Sequence, residues 1–187
     1  MKRSLYLAAA AVTFAIAAPP AFASYHGAKA EAKPANATAQ ATIINKKGEE
    51  IGFGKIEQGP NGVLIHVKVS GLTPGKKGLH LHSHGVCDPE TGFKSAKGHV
   101  GLKEGAHGFM NPDGPEAGDL PNIFVGSDGV GETEIFSNLV TIGSGAGADL
   151  LDADGSAFVI HENPDDHITQ PIGGAGPRVA CGVLKKN

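Results

Sequence analysis

The sequence predicts an all-β domain, arranged as a β-sandwich or flattened barrel of about eight strands. The chain of 187 residues contains 28 Gly and 12 Pro, and apolar residues recur at helical spacing only near its start. Residues 63–69, Val-Leu-Ile-His-Val-Lys-Val, place Val or Ile at every second position, as in a strand with one buried face. One domain of roughly 150 residues is large enough for a single core.

Each predicted strand is bounded by residues typical of turns. Lys-Lys-Gly at 46–48 separates the first two strands, and Gly-Pro-Asn-Gly at 59–62 separates the second from the third. Gly-rich connections separate the later strands. In chain order the predicted strands are 41–45, 51–56, 63–69, the segment with His80 and His82, 123–125, 131–136, 157–161 and 179–184.

Two long segments without strand signals, 85–121 and 162–178, interrupt this pattern. Long irregular loops in a compact domain usually carry function. The polar residues in them that we regard as functional candidates are His99, His107, Glu116, Asp119, Asp165 and Arg178.

Residues 1–23 have the pattern of a signal peptide: two basic residues, an apolar run over 5–18 and Ala-Phe-Ala at 21–23 as a cleavage site. The alternative is a membrane anchor, but the run is shorter than the roughly 20 residues needed to cross a bilayer and two prolines follow it. We therefore expect an exported protein, periplasmic or secreted, that starts at Ser24 and has no membrane partner.

Residues 24–38 are rich in Ala, Lys and Pro without periodicity, and we expect them to form a flexible extension before a domain at 39–187. Loss of the two basic residues of the leader leaves 14 Lys and Arg against 19 Asp and Glu, and the net charge changes from -3 to -5. This balance argues against a nucleic-acid partner.

Four histidines are spaced as a metal-binding frame. His80 and His82 are at positions i and i+2 of a predicted strand, so their side chains leave the same face. A third imidazole from the strand ending at His161 and a fourth from the loop at His99 would complete an all-nitrogen set, which suits copper in both oxidation states. The sequence therefore predicts a redox-active copper site.

The chain has two cysteines, Cys87 and Cys181. In an exported protein an even pair indicates a disulfide, and so long a closed loop would contribute on the order of 4 to 5 kcal/mol in the chain-entropy model. A pair of reactive thiols is the alternative, although neither residue is in a Cys-x-x-Cys motif.

Six motifs in this order resemble those of copper/zinc superoxide dismutases of the bacterial exported type. The resemblance covers about residues 40 to 185 and implies a Greek-key β-sandwich, an architecture that these enzymes share. The motifs are His80-Leu-His, Cys87-Asp-Pro, Phe93-Lys-Ser-Ala-Lys-Gly-His, Gly118-Asp-Leu-Pro-Asn-Ile, Val159-Ile-His-Glu and Gly176-Pro-Arg-Val-Ala-Cys-Gly-Val.

The resemblance implies a dismutase that converts superoxide to oxygen and hydrogen peroxide by cycling of copper. It assigns His80, His82 and His161 as copper ligands, and His99 as the catalytic histidine that bridges copper to zinc. An imidazole loses its second proton when a cation lies on each nitrogen, and a bridge that can be released and reprotonated delivers a proton where peroxide forms.

The same resemblance assigns His107 and Asp119 as zinc ligands. It makes Arg178 a catalytic residue, because a guanidinium at the mouth of the copper channel would hold a small anion. It makes Asp165 a carboxylate that hydrogen-bonds one ligand of each metal.

The chain departs from the family at Glu116, where a third zinc histidine is expected. A carboxylate binds zinc at a similar distance, so Glu116 can complete a four-ligand site with two nitrogens and two oxygens. In the alternative Glu116 points to solvent and zinc binds weakly or not at all, with His84 or His26 as lesser candidates for the missing ligand. A copper-only dismutase and a non-catalytic copper-binding or delivery module are therefore alternative functions.

Other roles stay open at this point. His84 is either a surface residue or an accessory ligand, and His167 is either a steering residue or incidental. His66 is expected on a solvated strand face. Because the net charge would repel superoxide, Lys94, Lys97 and Lys103 are candidates for steering it toward Arg178. A homodimer is an open alternative to a monomer.

Overall fold

A computed structural model describes residues 37–143 and 145–187. The predicted signal peptide, His26 and nearly all of the predicted extension lie outside the described residues. Thr38, at the end of that extension, is the first residue of strand β1. Among the described residues no helix has both the length and the apolar character needed to cross a membrane.

The described chain is almost entirely strand and loop, which confirms the predicted all-β class. It has two short 3₁₀ helices, Pro89–Thr91 and Lys94–Ala96. The strands are β1 Thr38–Asn45, β2 Glu50–Gly59, β3 Gly62–Val69, β4 Gly75–Lys77, β5 Leu79–His82, β6 Ile123–Val125, β7 Gly131–Ser137, β8 Val140–Thr141, β9 Ala148–Asp149, β10 Ala157–His161, β11 Arg178–Val183 and β12 Lys185–Lys186.

One antiparallel sheet makes up nearly the whole barrel, in the order β4-β6-β7-β3-β2-β1-β11-β10-β5. The two strands at the ends of this order, β4 and β5, are separated in the chain by Gly78 alone. One short segment thus begins at one end of the sheet and finishes at the other, and the sheet nearly closes on itself. Its order places β7 beside β3 and β11 beside β1, so long connections cross the ends of the barrel.

The barrel encloses one main core of aliphatic side chains, which also contains the fully buried Phe158. Gly54 lies against the Phe158 ring, and a Cβ there would meet ring carbons at 2.5 Å, so β2 can approach this ring only at a glycine. Strand β3 buries Val63, Ile65 and Val67, as its alternation predicts.

On the outer face of β3, His66 pairs with Glu132 of the neighbouring β7. Their Nε2 and Oε1 atoms are 2.9 Å apart, and Lys68 contacts the other oxygen of Glu132 at 2.9 Å. His66 thus lies on a solvated strand face, far from the other functional candidates in the strand order.

Four of the short strands were not predicted. Strands β4, β8, β9 and β12 have two or three residues, too few to show an alternating pattern. The loop prediction was also too simple. Asp88 caps the first 3₁₀ helix by accepting from the Glu90 N–H at 3.0 Å, and the 162–178 segment ends one residue early because Arg178 begins β11.

Candidate metal centre

Three buried histidines form what we call the imidazole cluster: His80 and His82 of β5 and His161 of β10. Strands β5 and β10 pair side by side, with His80 opposite Val159. The His161 N–H donates to the Gly78 carbonyl at 2.8 Å and fixes the end of β10 beside the start of β5. One ligand atom from each histidine lies within 4.8 Å of the others, so the cluster can hold a metal ion.

Each ring of this cluster has one nitrogen fixed by the protein. His80 Nε2 donates to Asp165 Oδ2 at 2.7 Å, and Nδ1 of His82 donates to the Lys97 carbonyl at 2.8 Å. Nδ1 of His161 donates to the Gly176 carbonyl at 2.9 Å. Since carbonyl and carboxylate oxygens only accept, the second nitrogen of each neutral ring has a free lone pair.

These second nitrogens have no partner in the protein. Among the described residues, five buried side-chain atoms lack a hydrogen bond, and they include His80 Nδ1, His82 Nε2, His99 Nε2 and His161 Nε2. A buried acceptor without a partner is costly, and a cation bound by the four lone pairs would satisfy all of them at once. The three histidines of the imidazole cluster therefore fit a copper ion, and the unpartnered Nε2 of the nearby His99 offers a fourth nitrogen.

The imidazole cluster is neutral at pH 7. Burial lowers the pKa of His80 to about 4 although its hydrogen bond to Asp165 acts in the opposite direction. Burial, with the nearby His80, lowers the pKa of His161 to about 3, and burial holds the pKa of His82 well below its usual range. Neutral imidazole is the form that binds a metal.

A second group, the carboxylate cluster, consists of His107, Glu116 and Asp119, which are all buried. His99 lies between the two clusters. Its Nδ1 lies 2.8 Å from Glu116 Oε2 and 3.1 Å from Asp119 Oδ1, while its Nε2 is one of the unpartnered atoms. Nδ1 of His99 thus faces the carboxylate cluster. Its ring centroid lies 4.3 Å from that of His80 and 5.0 Å from that of His82, so Nε2 is the nitrogen left for the imidazole cluster.

Four atoms converge in the carboxylate cluster: Nδ1 of His99, Nδ1 of His107, Oε2 of Glu116 and Oδ1 of Asp119. His107 Nδ1 lies 2.8 Å from Asp119 Oδ1 and 3.8 Å from Glu116 Oε2. Ligand atoms around a tetrahedral zinc ion are about 3.3 Å apart, given bonds of about 2.0 to 2.1 Å. His99, His107 and Asp119 belong to a group whose ligand atoms lie within 4.8 Å of one another and could hold a metal ion, and Glu116 Oε2 lies close enough to both histidines to be a further ligand.

Glu116 lies inward, with 2 % of its surface exposed. Its Oε1 accepts from the Lys103 N–H at 3.0 Å, and its own N–H donates to Asp119 Oδ2 at 3.0 Å. The carboxylate is thus fixed beside His99 and does not point to solvent. His84 is not part of either cluster, and its Nδ1 donates to the Ser83 carbonyl at 2.9 Å.

The carboxylates raise the pKa values of the histidines beside them, whereas the pKa values of the histidines in the imidazole cluster are lowered. Burial alone would lower the pKa of His107, but hydrogen bonds to Asp119 and Asp165 raise it to about 10. Burial alone would also lower the pKa of His99, but its contacts with Asp119 and Glu116 raise it. Asp119 has a pKa well below its usual range because hydrogen bonds from both histidines outweigh its burial.

The loop with these ligands is held along the free side of β5. His99 forms a bridge with His82, and Asp119 forms one with His80. The Leu81 N–H donates to the Gly118 carbonyl at 2.8 Å, and the Leu81 carbonyl accepts from the Val100 N–H at 2.9 Å. Main-chain pairing therefore sets the distance between the two clusters.

Asp165 connects the two clusters. Its Oδ2 accepts from His80 at 2.7 Å, and its Oδ1 lies 3.2 Å from His107 Nε2. These hydrogen bonds hold the pKa of Asp165 well below its usual range although burial acts in the opposite direction. Gly173 makes the approach possible, because a Cβ there would lie 1.6 Å from Asp165 Oδ1.

Arg178 is half-buried at the start of β11. Its Nη1 donates to the Phe93 carbonyl at 2.6 Å and its Nη2 to the Lys97 carbonyl at 2.5 Å. Beside it is an open cavity of about 450 Å³ that Lys46 and Lys94 also line. Lys46 was missed in the sequence because it lies in the turn after β1, some 130 residues before Arg178.

The predicted disulfide joins Cys87 and Cys181 with an S–S distance of 2.01 Å and is confirmed. It packs with Phe93, Ala96 and Val159 in a second small core. The bond ties the loop whose carbonyls hold Arg178 to β11 itself.

Comparisons with known proteins agree with this geometry. Residues 50–184 match the family model described as copper/zinc superoxide dismutase (SODC). "Superoxide dismutase [Cu-Zn]" of Caulobacter vibrioides is 49 % identical over 150 residues, which are 79 % of this chain and 86 % of the relative. "Superoxide dismutase [Cu-Zn] 1" of Aquifex aeolicus is 44 % identical over 146 residues, 78 % of this chain and 86 % of the relative.

Solved structures give the same result. A variant of a SOD-like protein from Bacillus subtilis superposes with a TM-score of 0.72 at 39 % identity, over 77 % of this chain and 95 % of that one. The Cu/Zn superoxide dismutase from Brucella abortus has a TM-score of 0.62 at 24 % identity, over 79 % of this chain and 99 % of that one, and supports the fold alone.

Proposed function

Because the chain belongs to the copper/zinc superoxide dismutase family, we propose that it converts superoxide to oxygen and hydrogen peroxide with copper bound by His80, His82, His99 and His161. The observation that carries the proposal is the set of four buried histidine nitrogens without partners. When bound, copper supplies the one-electron chemistry that oxidises one superoxide and reduces another.

The chain's own residues bind the substrate and move the proton. Arg178 is fixed by two carbonyls and presents its remaining N–H groups and its charge to a small anion. His99 holds a proton at Nε2 when that nitrogen is free and gives it to the reduced substrate, which takes the second proton of hydrogen peroxide from solvent. The other nitrogen, Nδ1, stays directed at the carboxylate cluster, so the ring keeps its orientation through the transfer.

We assign zinc to His99, His107, Glu116 and Asp119. Among the described residues, the group around His107 whose ligand atoms lie within 4.8 Å of one another consists of His80, His99, His107 and Asp119, without Glu116. Glu116 Oε2 lies 2.8 Å from His99 Nδ1 and 3.8 Å from His107 Nδ1. We prefer Glu116 because one nitrogen of His80 is held by Asp165 and the other is needed in the imidazole cluster. Two anionic ligands make this site harder than one with three histidines, so zinc is expected to exchange more readily.

The alternatives are less well supported. A copper-delivery module has no need of a bridging histidine or of a fixed arginine next to the metal. A copper-only dismutase would leave the four converging atoms of the carboxylate cluster without a role.

Export is the second part of the proposal. The leader pattern at 1–23 and the Cys87–Cys181 disulfide both support an oxidising compartment outside the cytoplasm. The mass of the purified chain tests cleavage before Ser24, and sedimentation tests the homodimer that the sequence leaves open.

The deciding experiment combines metal analysis with a dismutase assay on the purified mature chain. We expect about one copper and one zinc per chain, and a rate constant approaching the diffusional limit of about 10⁸ to 10⁹ M⁻¹s⁻¹ that superoxide dismutases reach. Activity no greater than that of copper held by a chelator would refute the enzyme and favour the delivery module. Full activity from a chain that binds copper but no added zinc would identify a copper-only dismutase.

A further inference from the structure

His167 lies two residues after Asp165 in an unusual backbone conformation. Its φ is +62°, a left-handed value that side chains other than glycine adopt infrequently. Its N–H donates to Asp165 Oδ1 at 2.6 Å, and its carbonyl accepts from the Met110 N–H at 2.9 Å. Neighbouring loops thus hold the residue in place on both sides of its Cα.

Asn122 determines how the His167 ring can bond. Its Oδ1 accepts from the Asp165 N–H at 2.8 Å, and its Nδ2 donates to the Asp165 carbonyl at 2.8 Å. Turning the amide over would place two donors together and two acceptors together, so its orientation is fixed. The same Nδ2 lies 3.1 Å from His167 Nε2.

This contact defines the protonation of the ring. Asn122 Nδ2 is a donor only, so His167 Nε2 has to accept, and an imidazole that accepts at one nitrogen carries its proton on the other. That other nitrogen, Nδ1, is buried without a hydrogen-bond partner and lies 3.5 Å from Asp165 Oδ2. A proton on Nδ1 therefore lies near the Asp165 carboxylate, which joins the two metal clusters, without forming a hydrogen bond to it.

We propose that His167 is a positioning residue, held by Asn122 as the neutral tautomer protonated at Nδ1, which supports the Asp165 carboxylate. At 3.5 Å the contact is longer than a usual hydrogen bond, and it acts through the charge of the carboxylate in a buried site. The Phe109 ring, with its centroid 5.2 Å from that of His167, packs against the imidazole and limits its movement.

This role differs from the steering function considered for His167. The residue lines an open cavity with Lys76, Asn122 and Phe124, whereas Arg178 lines a different one. His167 thus acts through Asp165 on His80 and His107, and not on the incoming substrate. The inference on the tautomer stands on protein geometry alone, while its effect on zinc rests on the proposed function.

Nitrogen NMR of the metal-free protein tests the tautomer directly. Correlation of ring protons with both ring nitrogens, assigned by comparison with His167→Gly, should show Nδ1 protonated and Nε2 bare near neutral pH. A proton on Nε2, or on both nitrogens, would overturn the proposal. The result does not depend on dismutase activity, so it remains decisive if the proposed function fails.

The positioning role is tested by zinc release from the zinc-loaded protein to a chelator. His167→Gly keeps the left-handed backbone and the N–H to Asp165 but removes the ring, and we expect roughly tenfold faster release, as for other partners of metal ligands. His167→Asn offers an amide N–H near the Nδ1 position and should remain within about twofold of the unaltered protein.

The neighbouring Ile168, half exposed, provides the matched control, and Ile168→Ala should release zinc at the unaltered rate. Unchanged release from His167→Gly would overturn the positioning role. Equal acceleration in the Gly and Asn variants would assign the effect to lost packing and overturn the role of the N–H. Thermal unfolding of each variant shows whether release follows the site or the whole fold.

Discussion

The imidazole cluster and the carboxylate cluster are neighbours on either side of His99, yet their buried histidines differ in charge. In the first, buried lone pairs face one another and the pKa values of His80 and His161 fall to about 4 and about 3. In the second, carboxylates face the histidines and the pKa of His107 rises to about 10.

The difference indicates which cluster needs a bound metal to satisfy its buried polar atoms. Protons on His99 and His107 can neutralise Glu116 and Asp119, so the carboxylate cluster has internal partners without zinc. The imidazole cluster has no comparable donor for its lone pairs. We therefore expect protons to compete little with copper for the imidazole cluster. Protons should compete more strongly with zinc for the carboxylate cluster.

The largest effect should come from deleting one ligand in each cluster. His82→Ala removes a proposed copper ligand that has no carboxylate partner, and activity should fall by at least about 100-fold, since redox chemistry at the metal would be lost. Zinc should be retained. His107→Ala should lose zinc but keep copper and part of the activity.

Metal content measured beside activity decides whether the clusters are separable. Loss of both metals in both variants would show that the two clusters form a single unit.

The second prediction concerns the stability of the metal-free protein against pH. Because the pKa of His107 is raised, the stability it contributes is complete below pH 6.5 and is lost as the pH rises through about 10. Because the pKa values of His80 and His161 are lowered, the unfolded chain takes up more protons below pH 6.5, and stability falls toward pH 4. Each of these changes, the alkaline arm and the acid arm of the stability curve, should lower the free energy of unfolding by a few kcal/mol.

Urea unfolding at about pH 5, pH 6.5 and pH 9 should therefore show a maximum near the middle value. His107→Gln should flatten the alkaline arm and leave the acid arm unchanged. A curve that rises steadily to pH 9 would contradict the assigned charge state of His107.

A third prediction addresses Glu116, where the carboxylate cluster departs from the expected histidine. Glu116→Gln removes the anionic ligand, and zinc affinity should drop about tenfold or more. Glu116→His should restore or strengthen binding and make the two clusters more alike. Equilibrium competition with a chelator measures both, and zinc affinity unchanged in Glu116→Gln would exclude Glu116 as a ligand.

A smaller effect is expected at Arg178, which acts on the substrate and not on either cluster. Arg178→Ala should lower activity several-fold with copper retained, and weaken the dependence of the rate on ionic strength. Arg178→Lys keeps the charge, and its activity should lie between those of the unaltered protein and of Arg178→Ala. Copper loss equal to the activity loss would instead make the residue structural.

The smallest effect is expected from the lysines beside Arg178. Lys46→Ala and Lys94→Ala should each lower the rate by about twofold at low salt and have no effect at high salt, because they contribute long-range attraction only. Lys103→Ala is the comparison variant, because Lys103 does not line that cavity and the change keeps the main-chain hydrogen bond from residue 103 to Glu116. A salt-independent loss at Lys46 would point to a structural role.

Much of this arrangement is readable in the sequence because its signals are local. Alternation marks β3, spacing of i and i+2 marks His80 and His82, and turn residues mark the strand ends. The parts that are not readable depend on contacts between distant segments. Asn122 holds the main chain of Asp165 across 43 positions, and Gly173 is required because of a carboxylate elsewhere in the same loop.

Glu116 shows the limit of inference from resemblance. The sequence shows that a histidine is missing and that a carboxylate could serve, but it does not show the direction of the side chain. That direction depends on the Lys103 N–H and on the turn that brings Glu116 against His99, which are features of the folded loop.

The pairing of the ligand loop with β5 also affects how the chain behaves toward other copies of itself. Strand β5 has one strand neighbour, β10, and its other side is covered by the main chain around His99 and Asp119. An uncovered strand edge is a template for pairing with another chain. Loss of the proposed ions would leave main-chain pairing alone to hold this loop over the edge, so we expect self-association to increase on demetallation before global unfolding.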